Sequence, residues 1–319
     1  MYYIGVDLGG TNIATGLLDE EGKIIYKCSA KAGAQRPPEE ITADIAATAK
    51  EVIEHENIPL SEIAGIGVGV PGCFDNNTGK IILTNNMNLS GFYFAPELQK
   101  YINKPVFMGN DANCAVLGEM IGGGAKGYKN VVMITIGTGI GGGFVSGGKL
   151  YGGANGAAME VGHMTVVADG LLCNCGRRGC WELYGSASAL VRYTEEYMEK
   201  DPGSLMHKIA KENGKVNGRT AFDAAKEGDE SGNAVVGKFV HYLSIGIADL
   251  INIFQPDVLL VGGGVSNEGE YLLGKIRNEV SEKTYAHGLL AVETVIKKAE
   301  LTNDAGIIGA GMMVNEKYR

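Results

Sequence analysis

Apolar and polar positions alternate along the first thirty residues. The run YYIGVDL reads as a strand and breaks at Gly9-Gly10. It resumes over NIATGLLD and breaks again at Glu21-Gly22 before KIIYKCSAK. The pattern predicts three consecutive antiparallel strands, Tyr2–Asp7, Asn12–Asp19 and Lys23–Lys31. Pro37 and Pro38 then open a helix to about Glu56, with Ile41, Ile45, Ala49, Val52 and Ile53 along it. IAGIGVGVPG and PVFMGND read as buried strands, and a helix is expected from Ala112 to about Ile121. A second strand–glycine turn–strand unit, VVMITIGTGIGGGFVSGGKLY, echoes the first about 130 residues later. Residues 186 to 254 read as mostly helical, ending in a long helix near Asn233–Phe254. The strand DVLLVGGGVS, another helix, the strand VETVIKK and a last helix from about Asp304 follow. This succession predicts an α/β fold.

Composition changes the picture at one point. The 319 residues are 45% hydrophobic and 20% charged, an ordinary globular balance. The 49 glycines are roughly twice the usual share of about 7%, and they cluster rather than repeat. A net charge of −9 with no basic stripe argues against nucleic-acid or anionic-membrane binding. No signal peptide is evident, and no apolar stretch is expected to reach about 18 residues, so no membrane span is expected. Cys28, Cys73 and Cys114 are scattered and read as buried small hydrophobes. A reducing, cytoplasmic location is expected.

Three glycine turns follow strands: Gly9-Gly10-Thr11, Gly137–Gly143 and Gly262–Gly264. Backbone N–H groups in such turns make concave anion sites, and the missing side chains let phosphate oxygens approach. Gly137, Gly139 and Gly142 match the dinucleotide fingerprint, but a strand rather than a helix is expected next. Gly143, Gly148 and Lys149 nearly match a P-loop, yet Leu150 replaces the required hydroxyl residue. What remains is a phosphate-holding turn between antiparallel strands, used twice.

Half of the six cysteines fall in CNCGRRGCWE, residues 173 to 182. With His163, Cys173, Cys175 and Cys180 form a complete tetrahedral set for zinc. Three local cysteines leave one unpaired under a disulfide reading. Four protein ligands leave no open position, so the zinc is expected to be structural.

Taken in order, the segments Asp7-Leu8-Gly9-Gly10-Thr11, Gly109-Asn110-Asp111-Ala112-Asn113, Ile136–Gly143, Glu160-x-Gly162-His163 and Cys173-x-Cys175-Gly176-x-x-Gly179-Cys180-x-Glu182 closely resemble the ROK (repressor, open reading frame, kinase) family, and within it the bacterial glucokinases. The resemblance covers essentially the whole chain. It implies a two-lobed actin-like ATPase and sugar-kinase fold with ribonuclease H-like cores enclosing a cleft, and a zinc-stabilised loop. The smaller N-terminal lobe is expected over 1–112 plus 303–319, and the larger lobe, with the zinc site, over 113–302.

The resemblance also implies roles. From position alone Asp111 could be either an N-cap or a base. The family match makes it the acceptor of the sugar 6-hydroxyl proton. Asn110, Glu160, His163 and Glu182 would bind sugar hydroxyls, joined by Gly72 and Asn88. His163 would serve zinc with one ring nitrogen and sugar with the other. Asp7 would lie near Mg²⁺–ATP. Gly9, Gly10, Thr11, Asn12, Thr138 and Gly139 would meet its phosphates, and Gly262, Gly263 and Gly264 would leave room for adenosine. The chain departs from the family at Phe92, where tryptophan is common.

The implied activity is phosphorylation of D-glucose at its 6-hydroxyl by ATP with Mg²⁺, a glycolytic hexose-kinase reaction. N-acetylmannosamine or fructose kinases of the same family are the near alternatives. A non-catalytic sugar-binding protein and a sugar-responsive regulator are the distant ones. Repressors of the family carry a DNA-binding domain ahead of the kinase-like part, and here the DLGGT strand starts at residue 2. Homo-oligomers, most simply a dimer, are expected from the resemblance.

Overall fold

The computed structural model describes residues 1–84, 87–154 and 156–318. Its elements run β1 (Tyr2–Leu8), β2 (Asn12–Leu18), β3 (Ile24–Lys31), α1 (Pro38–His55), β4 (Ile63–Val70), β5 (Cys73–Asp75), β6 (Lys80–Leu83), α2 (Phe94–Tyr101), β7 (Val106–Asn110) and α3 (Asp111–Gly122). They continue with β8 (Val131–Ile136), β9 (Ile140–Ser146), β10 (Lys149–Leu150), α4 (Glu182–Gly185), α5 (Ala187–Lys200), α6 (Leu205–Glu212), α7 (Thr220–Lys226) and α8 (Glu230–Phe254). Last come β11 (Val258–Gly262), α9 (Glu270–Lys283), β12 (Val295–Lys298) and α10 (Asp304–Met312). Two five-stranded sheets have the orders β3-β2-β1-β4-β7 and β10-β9-β8-β11-β12. The chain divides into two compact units. The first comprises Met1–Met133, Gly143–Met159 and Ala299–Arg319, and the second Ile134–Gly142 and Glu160–Lys298.

In the first unit, β1 and β2 pair antiparallel across the Gly9 turn, and β1, β4 and β7 run parallel. Period-two alternation sends Ile4, Val6 and Leu8 to one face. There they join Ile66, Val68 and Val70 and the α1 residues Ile41, Ile45, Ala49 and Val52 in one core. Helix α1 starts where expected because Pro37 and Pro38 preset its first turn and Glu39 and Glu40 complement its N-terminus. On the opposite face Tyr3 and Leu18 meet Ile307, Ile308 and Met312 of α10.

Glycine sets how closely α10 lies on the sheet. A Cβ on Gly5 would overlap the Ile307 carbonyl, and one on Gly67 the Ala310 carbonyl. The α3–α10 crossing is equally tight, with Gly118 against Ala305 and Gly309 against Cys114. This packing holds α3 in the first unit. The units thus divide differently from the lobe boundary expected after residue 112.

In the second unit the long helix α8 is the organiser. Its Val235, Val236, Phe239, Leu243, Ile247 and Leu250 are buried. Trp181, fully buried, donates from Nε1 to the Tyr242 carbonyl at 2.9 Å and lies flat where a Cβ on Gly246 would stand. With mean hydropathy 1.5, α8 is the one helix among the described residues long and apolar enough to cross a membrane. That corrects the expectation that no stretch reaches that length. With 61% of its most apolar stretch buried against its neighbours, α8 is a core helix of this unit.

The β5–β6 hairpin and α2 have no counterpart in the expected elements, because three- and four-residue strands and an eight-residue helix with Pro96 in its first turn give little periodicity. The final helix is shorter than expected and ends at Met312. Of the scattered thiols only Cys114 is buried; Cys28 and Cys73 are half-buried.

Candidate active site

In the first unit two carboxylates stand at the C-terminal ends of the parallel strands β1 and β7, with β4 between them. Asp7 of β1 is in register with Gly69 of β4, which is in register with Gly109 of β7. Gly69, at the middle position, contributes no side chain of its own, and the Cys114 thiol packs 3.3 Å from where its Cβ would stand. One step on, Asn110 caps α3, its Oδ1 accepting from Ala112 N at 2.9 Å and Asn113 N at 3.4 Å. The capping role is thus filled by Asn110, and Asp111 is the first helical residue. Its Oδ1 accepts from the neighbouring Ala112 N at 2.9 Å.

Burial pushes the Asp7 carboxyl up to about 6, and the negative charge of Asp111 adds to the rise. Burial also raises Asp111, against the lowering effect of the Ala112 N–H. Asp111 nevertheless keeps solvent-accessible surface. A carboxyl crowded by protein yet open to solvent is in the state a general base requires.

The first glycine turn closes with Gly9 N donating to Asn12 O at 3.0 Å, and Ala32 N donates to Thr11 O at 2.9 Å. Gly10, Thr11 and Asn12 are exposed. Asn12 Oδ1 accepts from Lys31 Nζ at 3.1 Å, so its side chain has a partner on β3. Gly72 has φ +126°, and a Cβ there would overlap the Leu83 carbonyl, so the position requires glycine. Asn88 is exposed, with its backbone N–H on Ala34 O at 2.8 Å. Phe92 packs partly buried against the main core.

In the second unit the other two glycine turns adjoin. Gly137 N donates to Gly139 O at 3.0 Å, and Gly263, at φ +84°, lies so close to the Ile136 backbone that no Cβ fits. Thr138 is exposed beside them, and so are Gly263 and Gly264, while Gly262 is buried as the last residue of β11. The short 3₁₀ turn Val161–His163 follows Glu160 and presses Gly162 onto the Ile140 carbonyl. Glu182, the first residue of α4, places its carboxylate where a Cβ on Gly139 would stand. Its Oε1 is 3.6 Å from His163 Nδ1 and 3.2 Å from Cys173 Sγ.

The ligand atoms of His163, Cys173, Cys175 and Cys180 all lie within 4.8 Å of one another. Cys175 Sγ and Cys180 Sγ are 3.6 Å apart, too far for a disulfide at about 2.05 Å. Cys173 Sγ and His163 Nδ1 are 3.8 Å apart. Zinc–sulfur bonds of about 2.3 Å in a tetrahedron give ligand separations of roughly 3.8 Å, so the donor set fits that ion. Burial pushes the Cys173 thiol up to about 12. A dication at this position must therefore displace that proton. Because Nδ1 faces the thiols, Nε2 is the nitrogen left for another partner.

The sequence-derived residues thus fall into two groups. The first unit brings together Asp7, the Gly9–Asn12 turn, Asn110 and Asp111, and the second brings Glu160, His163 and Glu182 to the cysteines and the Gly139 turn. Sequence reading passed over Asn113, which is buried with no hydrogen-bond partner for its Oδ1 among the described residues. A polar residue in the first turn of a mostly apolar helix was the available signal.

A model of the ROK family matches residues 3–317. The glucokinase of Thermotoga maritima is 38% identical over 317 residues, covering 98% of this chain and 97% of that protein. The glucokinase of Halalkalibacterium halodurans is 36% identical, covering 99% and 96%. Among solved structures, a ROK family glucokinase from Streptomyces griseus in complex with glucose and AMPPNP has a TM-score of 0.81. It is 33% identical, with 98% and 99% of the two chains covered.

Proposed function

The chain belongs to the ROK family, and on that footing we propose that it is a hexose kinase that phosphorylates D-glucose at the 6-hydroxyl with ATP. The observation that supports this most directly is the near end-to-end similarity to glucokinases, together with an Asp111 relieved of capping by Asn110.

In the reaction, the sugar 6-oxygen attacks the γ-phosphorus. A new oxygen–phosphorus bond forms, the bond to the departing ADP oxygen breaks, and the hydroxyl proton passes to the Asp111 carboxylate. Such transfer depends on positioning and charge neutralisation more than on covalent help from the protein. Magnesium arriving with ATP would supply that neutralisation. Asp7, a carboxylate on a rigid strand end, is assigned to its water shell. Backbone N–H groups of the Gly9–Asn12 and Gly137–Gly139 turns and the hydroxyls of Thr11 and Thr138 are assigned to phosphate oxygens, and the Gly262–Gly264 turn to adenosine. Asn110, Glu160, Glu182 and His163 Nε2 are assigned to glucose hydroxyls, with Gly72 and Asn88 beside them.

Zinc is assigned to His163, Cys173, Cys175 and Cys180. Its chemistry there is structural, a closed tetrahedral knot that orients His163 and Glu182. We further assign a cytoplasmic location and a homo-oligomeric state. Sedimentation showing only monomer at working concentration would remove the latter.

The deciding experiment measures ADP release with Mg²⁺–ATP on glucose, mannose, fructose and N-acetylmannosamine, identifying each product. Turnover strongest on glucose, giving glucose 6-phosphate, is expected. A preference for N-acetylmannosamine or fructose would overturn the sugar assignment alone. Binding without turnover would overturn the enzyme reading.

A further inference from the structure

The glycine run of GEMIGGGA, residues 118 to 125, belongs to none of the three phosphate turns. It surrounds Glu119, which is fully buried. Its carboxylate accepts three backbone N–H groups. Oε2 accepts from Gly124 at 2.8 Å and from Glu300 at 3.1 Å, and Oε1 from Leu301 at 2.7 Å. A Cβ on Gly123 would overlap Oε2, so the socket itself requires glycine there.

The two partners at 300 and 301 lie nearly two hundred positions away in sequence. They follow the point where the chain returns to the first unit at Ala299, and they lead into α10. Helix α10 in turn lies over Asp7. A Cβ on Gly306 would stand 2.8 Å from Asp7 Cγ. Glu119 itself lies on α3, eight residues and about 12 Å of helix from Asp111. At Gly118 and Gly309 no side chain cushions the α3–α10 contact, and the two backbones meet directly.

From this arrangement we propose that Glu119 is a positioning residue. Its buried carboxylate locks α3 to the segment leading into α10 and so fixes Asp111 relative to Asp7. The proposal rests on the kinase reading for its catalytic consequence, but not for its structural one. A buried carboxylate held by three N–H donors is costly to disturb, because each donor left unpaired keeps its desolvation penalty. The lock is directional as well as strong, since two of its donors belong to one connecting segment and the third to the turn just past α3.

The test substitutes Glu119→Gln, which replaces one accepting oxygen by an amide NH₂ facing N–H donors, and Glu119→Asp, which withdraws the carboxylate by one methylene. Ile45→Val on α1 serves as a control for generic destabilisation. Measurements are made well below each variant's melting temperature. Expected for Glu119→Gln is a kcat about 10- to 100-fold lower, as for a misplaced reacting group. Glucose KM should change by less than about three-fold, since sugar-binding side chains stay in place. Glu119→Asp should fall between Glu119→Gln and wild type, and Ile45→Val should match wild type.

Amide hydrogen exchange supplies a readout independent of activity. Glu119→Gln should accelerate exchange at Ala112 and Asn113 as well as at Gly124, Glu300 and Leu301. Exchange changes confined to the last three, or an unchanged kcat, would overturn the positioning role and leave a local clip. If Glu119→Gln does not fold, the same two readouts on Glu119→Asp decide. A wild type with no turnover on glucose refutes the kinase reading, while the exchange pattern still decides the lock.

Discussion

Replacing Asp7 by asparagine should make the protein more stable at pH 8 while abolishing most of its turnover. The carboxyl is raised from 3.8 to about 6 in the folded protein, first by burial and second by Asp111. A folded-state value above the unfolded one means that the folded state holds the proton more tightly. The associated stability is therefore fully present below pH 3.8, declines as pH rises, and is gone above about 6. A shift of about two units corresponds to roughly 3 kcal/mol of burden from an ionised Asp7 at pH 8. Asparagine keeps the shape and discards the charge, so a gain of about 1–3 kcal/mol is expected there, shrinking to nothing near pH 4. Urea denaturation of both proteins at pH 4 and pH 8 measures it. Far-UV circular dichroism is the suitable signal, because the single tryptophan, Trp181, reports on the second unit alone. A variant no more stable than wild type at pH 8, or equally stabilised at both pH values, would refute the argument that a buried charge is maintained at Asp7 for function.

Three further outcomes are expected. Asp111→Asn should lower kcat by about 10²–10⁴-fold with an unchanged circular dichroism spectrum, and substantial residual turnover would remove it as the base. Because burial raises the Asp111 pKa, the acid limb of wild-type kcat against pH should lie above the ordinary aspartate range near 3.8, with activity lost as pH falls through it. Chelation, or Cys180→Ser, should release one zinc per chain and weaken glucose binding by about 10- to 100-fold through His163 and Glu182, measured by metal analysis and calorimetry. Unaltered glucose affinity after metal loss would break that link.

The long elements were legible from residue patterns because each agrees with its neighbours. Pro37 and Pro38 open α1 where the apolar period begins, and Gly9-Gly10 interrupts an alternation that resumes in register on β2. The histidine–cysteine cluster was legible because His163 and three cysteines fall within eighteen residues, and their ligand atoms lie within 4.8 Å of one another, a spacing compatible with one ion. The role proposed for Asp111 was only half legible. Position alone left Asp111 open between cap and base, and the structure assigns the cap to Asn110. Not legible at all was Glu119. Its role depends on contacts between α3 and residues 299–312, which no local period records.

That same contact accounts for several of the glycines that looked anomalous in the composition. Excess glycine suggested ligand-holding turns, and glycine turns do follow β1, β8 and β11. Gly5, Gly67, Gly118 and Gly309 do something else: each lets a backbone carbonyl stand where a Cβ would be. Their joint effect is to bring α10 and α3 onto the sheet at close range, which puts Gly306 against Asp7 and leaves that carboxyl little water. Close packing and the raised Asp7 pKa are therefore one fact seen twice. Gly67→Ala should cost about 1–3 kcal/mol by forcing the Ala310 carbonyl outward. By admitting water around Asp7, it should also bring the Asp7 pKa down toward 3.8. NMR titration of the Asp7 carboxyl carbon in wild type and Gly67→Ala tests this directly. A destabilised variant whose Asp7 still titrates near 6 would show that the helix contact and the buried charge are independent.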